Sequence, residues 1–466
     1  MVPVSERYSR WQWVVILVII GALTTTACSA QLPTTQTPSA KPASASGAPP
    51  IPEIPRQTVR FAHAPYIDHS QGIIGLEKGW FKEVGIEFAP PPNGETKLPS
   101  GQFQDALQKG TIDAASSSAA FTLPGLKQFP DVRMFSISTR FEGWGILADS
   151  KAGLKTYGDF VKSGASRSDA IKQTLAQMKG KRWVHPGFPA TLLAVQVLMG
   201  LGGLTDKDVQ RIAVPDNAQL VPMMRTGQAD FFLGDGPSRA VLESSGFSSI
   251  LNVSDLLEGT KASADSPEMN LVFYDGWLTT TKYWKENHDT VLRLASVQFR
   301  IADLITKNPD EALAIHVPFL NSVSGGTLTK EQAKTIYDSI DPFLTWEAQK
   351  PIFTDPNSPW YYTYELDVRI KALVDTGVYK AGEIKPESVT IAPDVYKELA
   401  ALKLQAETTL TEVEAELQRA KQANKSLQQT EQLVARAKAF HAAYDFLDAQ
   451  RFAAAAREWA AYEAQR

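Results

Sequence analysis

The period of the apolar residues changes along this chain, and each change marks an element. Thr58–Ala62 (TVRFA) alternates and predicts a strand; QGIIGLEKGWF, residues 71–81, repeats at helical spacing and stops near Gly79. Ser70 precedes that helix as its expected N-cap. Ile86–Phe88 predicts a second strand, broken by Pro90–Pro92, and a helix over Ala119–Gln128 leads to a strand over Val132–Ser138. Trp183–Val184, Val209–Val214 and Ile250–Val253 predict further strands, with helices over Ala190–Leu201 and about Pro237–Ser244 between them. Strands alternating with helices predict an α/β fold with mostly parallel sheet and right-handed crossovers. A long helix over about Asn287–Thr306 carries Val291, Leu294, Ala295, Val297 and Leu304 on its apolar face.

One pattern occurs twice. FQDALQKGTIDAASSS (residues 103–118) and LVPMMRTGQADFFLGDG (220–236) each read as a short amphipathic helix closed by Gly110 or Gly227, an acid (Asp113 or Asp230), then a short apolar strand ending in small or polar residues. Glycine suits the left-handed residue that ends a helix. In open α/β sheets ligands sit beyond the carboxyl ends of strands, so the two copies predict duplicated lobes around a binding cleft.

Composition adds limits. A chain of 466 residues, 43% hydrophobic, can bury one or two large cores. A net charge of −4 gives no reason to expect nucleic acid as a partner. The single cysteine, Cys28, excludes an intrachain disulfide and a cysteine-rich zinc site. It follows a basic stretch with Arg7 and Arg10 and the apolar run Trp11–Leu23, the form of a secretory signal. The cysteine falls where a bacterial lipoprotein is cut and lipidated, although Thr25 stands where Leu is commonest; an uncleaved signal anchor is the alternative. Residues 30–57, rich in Pro, Ala, Ser and Thr, read as a disordered tether to the membrane, about 80 Å long at roughly 3.1 Å per residue.

GIIGLEKGWFKEVGIEF, with the strand DAASSS after the first repeat, resembles the solute-binding proteins of ABC importers. The likeness is to the branch for nitrate, sulfonates and thiamine-pyrimidine precursors, called NMT1/THI5-like or SsuA-like. That branch has a K-G-x-F helix end before a G-[IL]-[DE] strand, here Lys78–Phe81 and Gly85–Glu87. LAQMKGKRWVHPG and GLTDKDVQRIAV carry the likeness into the second lobe, so that it covers about residues 58–320. It implies a two-lobed type II periplasmic-binding-protein fold with a hinge of two crossings, here FEGWGILA (141–148) and NLVFYDGWLT (270–279). The expected organisation is a signal and lipidation site over 1–28 and a tether over 29–57. Lobe 1 takes 58–145 plus 270–393, lobe 2 takes 146–269 with a surface insertion at 150–178, and an all-α extension takes 394–466.

Residues just past the expected strand ends are the candidate ligand contacts: His63, Tyr66, Asp68, Ser116, Ser117, Glu142, Trp144, His185, Gly187, Phe188, Asp235 and Tyr274. Helix N-termini after Ser70, Ser118 and Gly187 suit an anion such as a sulfonate or nitrate. Tyr66, Trp144 and Phe188 instead suit a flat heterocycle, with Glu142 or Asp235 on its amino group. This wealth of acids and aromatics favours an uncharged or cationic ligand over a simple oxyanion, while each aromatic has a lobe core as its plainer place. His63, His69 and His185 with Asp68 offer metal-ligand types, but no metal-binding spacing supports them, and hydrogen-bonding loop histidines are expected. No Gly-x-Ser-x-Gly or Walker motif points to an enzyme, and no cofactor is expected. Eukaryotic relatives that make a thiamine pyrimidine with pyridoxal phosphate work in the cytosol, which the export signal opposes.

In the last third, LTKEQAKTIYDSIDPF reads as a solvated helix surface and EIKPESVTIAPDVY as packing back on the lobes. After Pro393 there is no Gly or Pro, and Leu399, Leu402, Leu410, Val413 and Leu417 form an apolar stripe, an amphipathic helix or coiled-coil arm broken near Asn424–Ser426. AKAFHAAYDFLDAQRFAAAAREW resembles one tetratricopeptide-type hairpin, packed through Tyr444, Leu447, Phe452 and Ala456. A single such unit cannot bury its own face, so it needs the arm, the lobes or a partner protein. The expected function is capture of a small molecule by a membrane-anchored lipoprotein for an ABC permease. The alternative is a ligand-gated sensor or scaffold whose helical end recruits a partner.

Overall fold

The computed structural model describes residues 47–466 apart from 216, 258–266 and 325–326. The leader, Cys28 and most of the expected tether lie outside the described residues. Within the described residues no helix is long and apolar enough to cross a membrane. The described residues form ten strands: β1 Gln57–Ala62, β2 Ile86–Ala89, β3 Ala114–Ser118, β4 Val132–Phe141, β5 Gly145–Asp149, β6 Arg182–Pro186, β7 Gln210–Val214, β8 Phe231–Phe232, β9 Phe247–Asn252 and β10 Phe273–Thr280. They form two five-stranded sheets, ordered β2-β1-β3-β10-β4 and β7-β6-β8-β5-β9. The expected parallel pairing holds for β1 with β2 and β3, and for β6 with β7 and β8. Each sheet also takes one antiparallel strand from a crossing, β10 in the first and β5 in the second. The sheets are therefore mixed rather than mostly parallel.

β10 is buried at every position because strands and helices cover both its faces. Next to Asp275 its register slips against β4, and Gly276 allows the slip: a Cβ there would lie 1.8 Å from the Ser136 carbonyl oxygen. A glycine bulge of this kind re-aims the neighbouring side chain, here Asp275.

The duplicated Gly-x-x-Asp has a structural cause. Asp113 Oδ2 accepts from the Arg60 backbone N–H at 2.8 Å and from Arg60 Nε at 2.9 Å, while the Asp113 N–H donates to the Arg60 carbonyl at 2.8 Å. Asp230 treats Arg182 alike: Oδ2 accepts from N at 2.9 Å and Nε at 3.1 Å, Oδ1 accepts from Nη2 at 2.8 Å, and the Asp230 N–H donates to the Arg182 carbonyl at 2.9 Å. Gly110 (φ 67°) and Gly227 (φ 68°) make the left-handed turn that brings each acid back to Arg60 within β1 or Arg182 at the start of β6. The acids fasten helix–strand loops to the central parallel strands, at the edge away from the ligand end.

Several expectations are corrected by packing. Residues 150–178 are no mere surface insertion, because the helix Arg167–Ala176 buries Ala170, Ile171, Thr174 and Leu175 against the helix Pro189–Gly202. Ala119–Gln128 is only a four-residue helix, Ala119–Thr122, followed by a 3-10 turn. Ser70 does not cap the helix Gly72–Glu77; its hydroxyl donates to the Tyr66 carbonyl at 2.7 Å and meets His316 Nε2 at 2.7 Å. The tether ends early, since Ile54 packs on the C-terminal helices and Gln57 Nε2 donates to Asn287 Oδ1 at 2.7 Å. The helix Lys330–Ser339 does carry a solvated Lys334–Asp338 pair, but its other face buries Ala333, Ile336 and Tyr337 and packs on the helix Gly236–Glu243. The chain then runs beside β4: Glu142 N–H donates to the Ile340 carbonyl at 3.0 Å and Leu344 N–H to the Ser138 carbonyl at 2.8 Å. This strap touches both halves at the first crossing.

The C-terminal helices Ala392–Gln422, Gln428–Ala442 and Phe446–Ala464 pack on one another around Leu410, Val413, Leu417, Leu433, Phe452 and Ala456. Asn424 and Tyr444 take the left-handed conformation at the two turns, so Tyr444 is a turn residue as well as a packing one. The long helix's stripe is thus consumed inside the chain, as a three-helix unit rather than a free arm. Its anchor is a buried ion pair: Arg293 Nε and Nη2 donate to Asp448 at 3.0 Å each, from the helix His288–Lys307.

These fastenings can be tested by deletion. Asp113→Ala leaves the Arg60 N–H without its acceptor and should cost about 1–3 kcal/mol in denaturant unfolding; a change below about 0.5 kcal/mol would contradict the fastening role. Asp448→Ala strands a buried guanidinium and should cost about 3–5 kcal/mol, with the C-terminal helices gaining hydrogen exchange first.

Candidate functional site: an acid- and aromatic-lined cavity between the sheets

Between the sheets lies a cavity of about 60 Å³, measured as space open to the centre of a water-sized sphere. A site for one water needs only about 10–15 Å³ on that measure, so the cavity holds a small ligand. Tyr66, Asp68 and His69 reach it from the loop after β1, and Phe121 from the short helix after β3. Phe141 and Trp144 come from the first crossing and Phe273 from β10. Pro186, Phe188 and Thr191 lie at and beyond the end of β6, and Asn217, Asp235, Gly236 and Pro237 complete the second-sheet wall. Asp341, on the strap, closes the ring. Phe141 stacks on Phe273 at 4.7 Å, and Trp144 meets Phe141 edge-on at 4.9 Å.

The electrostatics are dominated by acids. His69 Nε2 shares a hydrogen bond with Asp275 Oδ1 at 3.0 Å and lies 3.4 Å from Asp68 Oδ2. Burial alone would push the His69 imidazole down, but Asp68 and Asp275 outweigh it and hold it above its usual value. Burial, then the charge of Asp68, pushes the Asp275 carboxyl up to about 7 despite His69. Asp235 is also raised, mainly by burial, although its Oδ1 accepts from Ser238 N–H at 2.7 Å and its Oδ2 from Asn217 Nδ2. Asp341 is raised furthest, by burial and then by Asp68, Asp275 and Asp235, and its Oδ1 has no hydrogen-bond partner.

Asp68, His69 and Asp275 are close enough together to surround a metal ion. In this structure Nε2 is taken up by its hydrogen bond with Asp275 rather than left open to an ion. The three form an ion-paired hydrogen-bond network.

Of the twelve candidate contacts, Tyr66, Asp68, Trp144, Phe188 and Asp235 line this cavity. Ser117 lines a neighbouring one beside Tyr66 and Phe121. The others lie elsewhere. His63 is packed among Phe61, Phe88 and Phe319, and burial lowers it to about 3, a neutral core imidazole. Ser116 is fully buried, with its hydroxyl towards the Gly276 carbonyl at 3.5 Å. Glu142 pairs with Arg140. His185 packs on Trp183 and meets the Pro186 carbonyl at 2.9 Å through Nδ1. Gly187 donates its N–H to the Val214 carbonyl at 2.8 Å, and Tyr274 its hydroxyl to the Trp360 carbonyl at 2.7 Å. The expected helix-end anion sites are also altered. Ser118 is buried and caps its own helix through the Phe121 N–H, and Asp235 occupies the N-terminus of Gly236–Glu243. The helix Pro189–Gly202 has no side-chain cap.

Asp341, Asp275 and Asn217 are not legible as site residues in the sequence. Asp275 sits inside a segment that reads only as a crossing, and Asp341 in one that reads as solvated. The available signal is an acid within an otherwise apolar run, YDGW and SIDPF.

A model of the NMT1-like family matches residues 53–311. No curated protein matches the chain. Among solved structures, a putative periplasmic sulfonate-binding protein SsuA from Methylobacillus flagellatus is 14% identical, covering 75% of this chain and 96% of its own, with a TM-score of 0.51. The periplasmic aliphatic sulphonate-binding protein SsuA from Escherichia coli is 13% identical, with coverage of 72% and 91% and a TM-score of 0.49. The periplasmic nitrate-binding protein NrtA from Synechocystis is 14% identical, with coverage of 76% and 89% and a TM-score of 0.46. At such identities the likeness concerns the fold, the two-lobed type II periplasmic-binding-protein arrangement to which this chain adds its C-terminal helices. With the family model matching more than half its length, the chain belongs to the NMT1-like family.

Proposed function

We propose that this protein is an extracytoplasmic solute-binding protein. It captures a small molecule between its two lobes, 58–145 plus 270–393 and 146–269, and delivers it unchanged to an ABC permease. The observation that carries the reading is the cavity itself: Tyr66 and Phe121 on the first sheet's side face Phe188 and Asp235 on the second's, with Trp144 at the crossing. Family membership and the periplasmic binding proteins among the structural neighbours support it. The basic, apolar leader ending at Cys28 supports export and lipid anchoring, and the polar stretch after it supports a short tether.

Trp144→Ala removes a wall of the cavity, and buried tryptophans are frequent centres of binding energy. The variant should bind at least about tenfold more weakly, by calorimetry, whichever of nitrate, sulfonates, pyrimidines or amines raises the wild-type unfolding temperature. Unchanged affinity would remove Trp144 from the site. Cys28→Ala should move the protein from the membrane fraction to the soluble extracytoplasmic fraction of the exporting cell. Retention at the membrane would instead favour an uncleaved anchor.

A further inference from the structure

Resting on that reading, we infer that the solute is a small organic cation with N–H donors, an ammonium group held among Asp68, Asp235 and Asp341 with its body against the aromatic walls. Three observations point the same way. The cavity lining contains three carboxylates and, among the described residues, neither lysine nor arginine. Arginines around the cavity are committed elsewhere, Arg369 over the Phe273 ring to Glu365 and to the Asn270 and Val272 carbonyls. Arg140 pairs with Glu142 and lies over Trp360, and Arg239 donates to Glu243, to Asn252 Oδ1 and to the Gly143 carbonyl. Of the two helix N-termini at the cavity, that of Gly236–Glu243 is already taken by Asp235, and only that of Pro189–Gly202, whose first residue has no N–H, is left without a side-chain cap.

The cavity wall holds acceptors without donors as well as two ring nitrogens without partners, Trp144 Nε1 and His69 Nδ1. Asp341 is 2% exposed, lines the cavity, and its Oδ1 meets no donor. Asn217, also at the wall, leaves its Oδ1 unpaired. Buried acceptors without donors are costly, and an ammonium group supplies donors and opposite charge together. Tyr66, Trp144 and Phe188 provide ring faces for the rest of a cation.

Charge linkage gives the inference a sign. The ionisable groups at the site are Asp68, Asp235, Asp275, Asp341 and His69; farther out, Glu365 pairs with Arg369 and Glu142 with Arg140. The raised acids hold protons that water-exposed carboxyls would have lost. A cation favours their ionised forms, so it expels protons and binds more tightly as pH rises; loss of the His69 proton acts in the same direction. An anion does the reverse.

The test titrates the full chain, in the presence of EDTA, with methylamine, ethanolamine and benzylamine. The matching alcohols and sulfonates are run beside them, by calorimetry and thermal shift at pH 6 and pH 8. The amines remain ammonium ions throughout that range, as lysine does. Expected is binding by at least one amine over its alcohol and sulfonate partners, tightening about tenfold from pH 6 to pH 8 for each proton released near pH 7. Asp341→Asn should weaken that amine at least tenfold. It should also raise the unfolding temperature of the free protein near neutral pH, because holding a proton on that raised carboxyl above its unfolded pKa costs folding free energy that Asn does not incur. Equal binding of the alcohol, or sulfonate binding that weakens with pH, overturns the cation while leaving solute capture intact. Binding that appears only when a divalent metal replaces EDTA also overturns it. If no compound of any charge binds and Trp144 emission never moves, the capture reading falls together with the inference.

Discussion

Four carboxylates close enough for the charge of Asp68 to raise the other three, with two of the four on the His69 imidazole and all largely out of water, are the constraint on which this structure turns. Asp68 and Asp275 come from the first sheet, Asp235 from the second, and Asp341 from the strap beside the crossing. Burial penalises the charges of Asp235, Asp275 and Asp341, and the other acids penalise them further. The closed arrangement is therefore stable only with protons on some of these acids or with a positive charge among them. That makes closure and ligand charge one problem. On the proposed function, lobes that part would return the acids to water, and lobes that close on a cation would put the cation in water's place.

The scaffold that holds this arrangement is duplicated and indifferent to the ligand. In both sheets an Arg–Asp fastening ties a helix–strand loop to the first parallel strand, and in both a crossing contributes one antiparallel strand. The asymmetry is confined to the carboxyl ends of the strands in the repeat: β3 ends in buried serines, while β8 leads to an aspartate that caps its own helix. The C-terminal helices contribute no residue to the cavity lining and pack on the helix His288–Lys307 through Arg293 and Asp448, on Trp346 through Tyr396 and Phe446, and on β4.

Much of the fold was legible because periodicity and the Gly-x-x-Asp repeat are local signals. Strand positions, the helix ends at Gly79, Gly110 and Gly227, and the fold class could all be read from short windows. The repeated acids were legible as a pattern but not as a role, since the partner arginines stand 53 and 48 residues away. The site was only half legible for the same reason. A residue just past a strand end can turn into the cleft, as Trp144 does, or into the core, as His63 and His185 do, and the direction depends on packing from distant helices. Asp275 needed the bulge at Gly276, and Asp341 needed a helix about 70 residues beyond the second lobe to return to the hinge.

The most direct test of the account counts protons. Calorimetric titration of the full chain with benzylamine near neutral pH, repeated in buffers of different ionisation enthalpy, measures the protons exchanged as the solute enters. Net release on binding is the predicted result, because a cation forces the buried acids to ionise. Net uptake, or heat that shows no dependence on buffer, would contradict a cleft of raised carboxyls closing on positive charge.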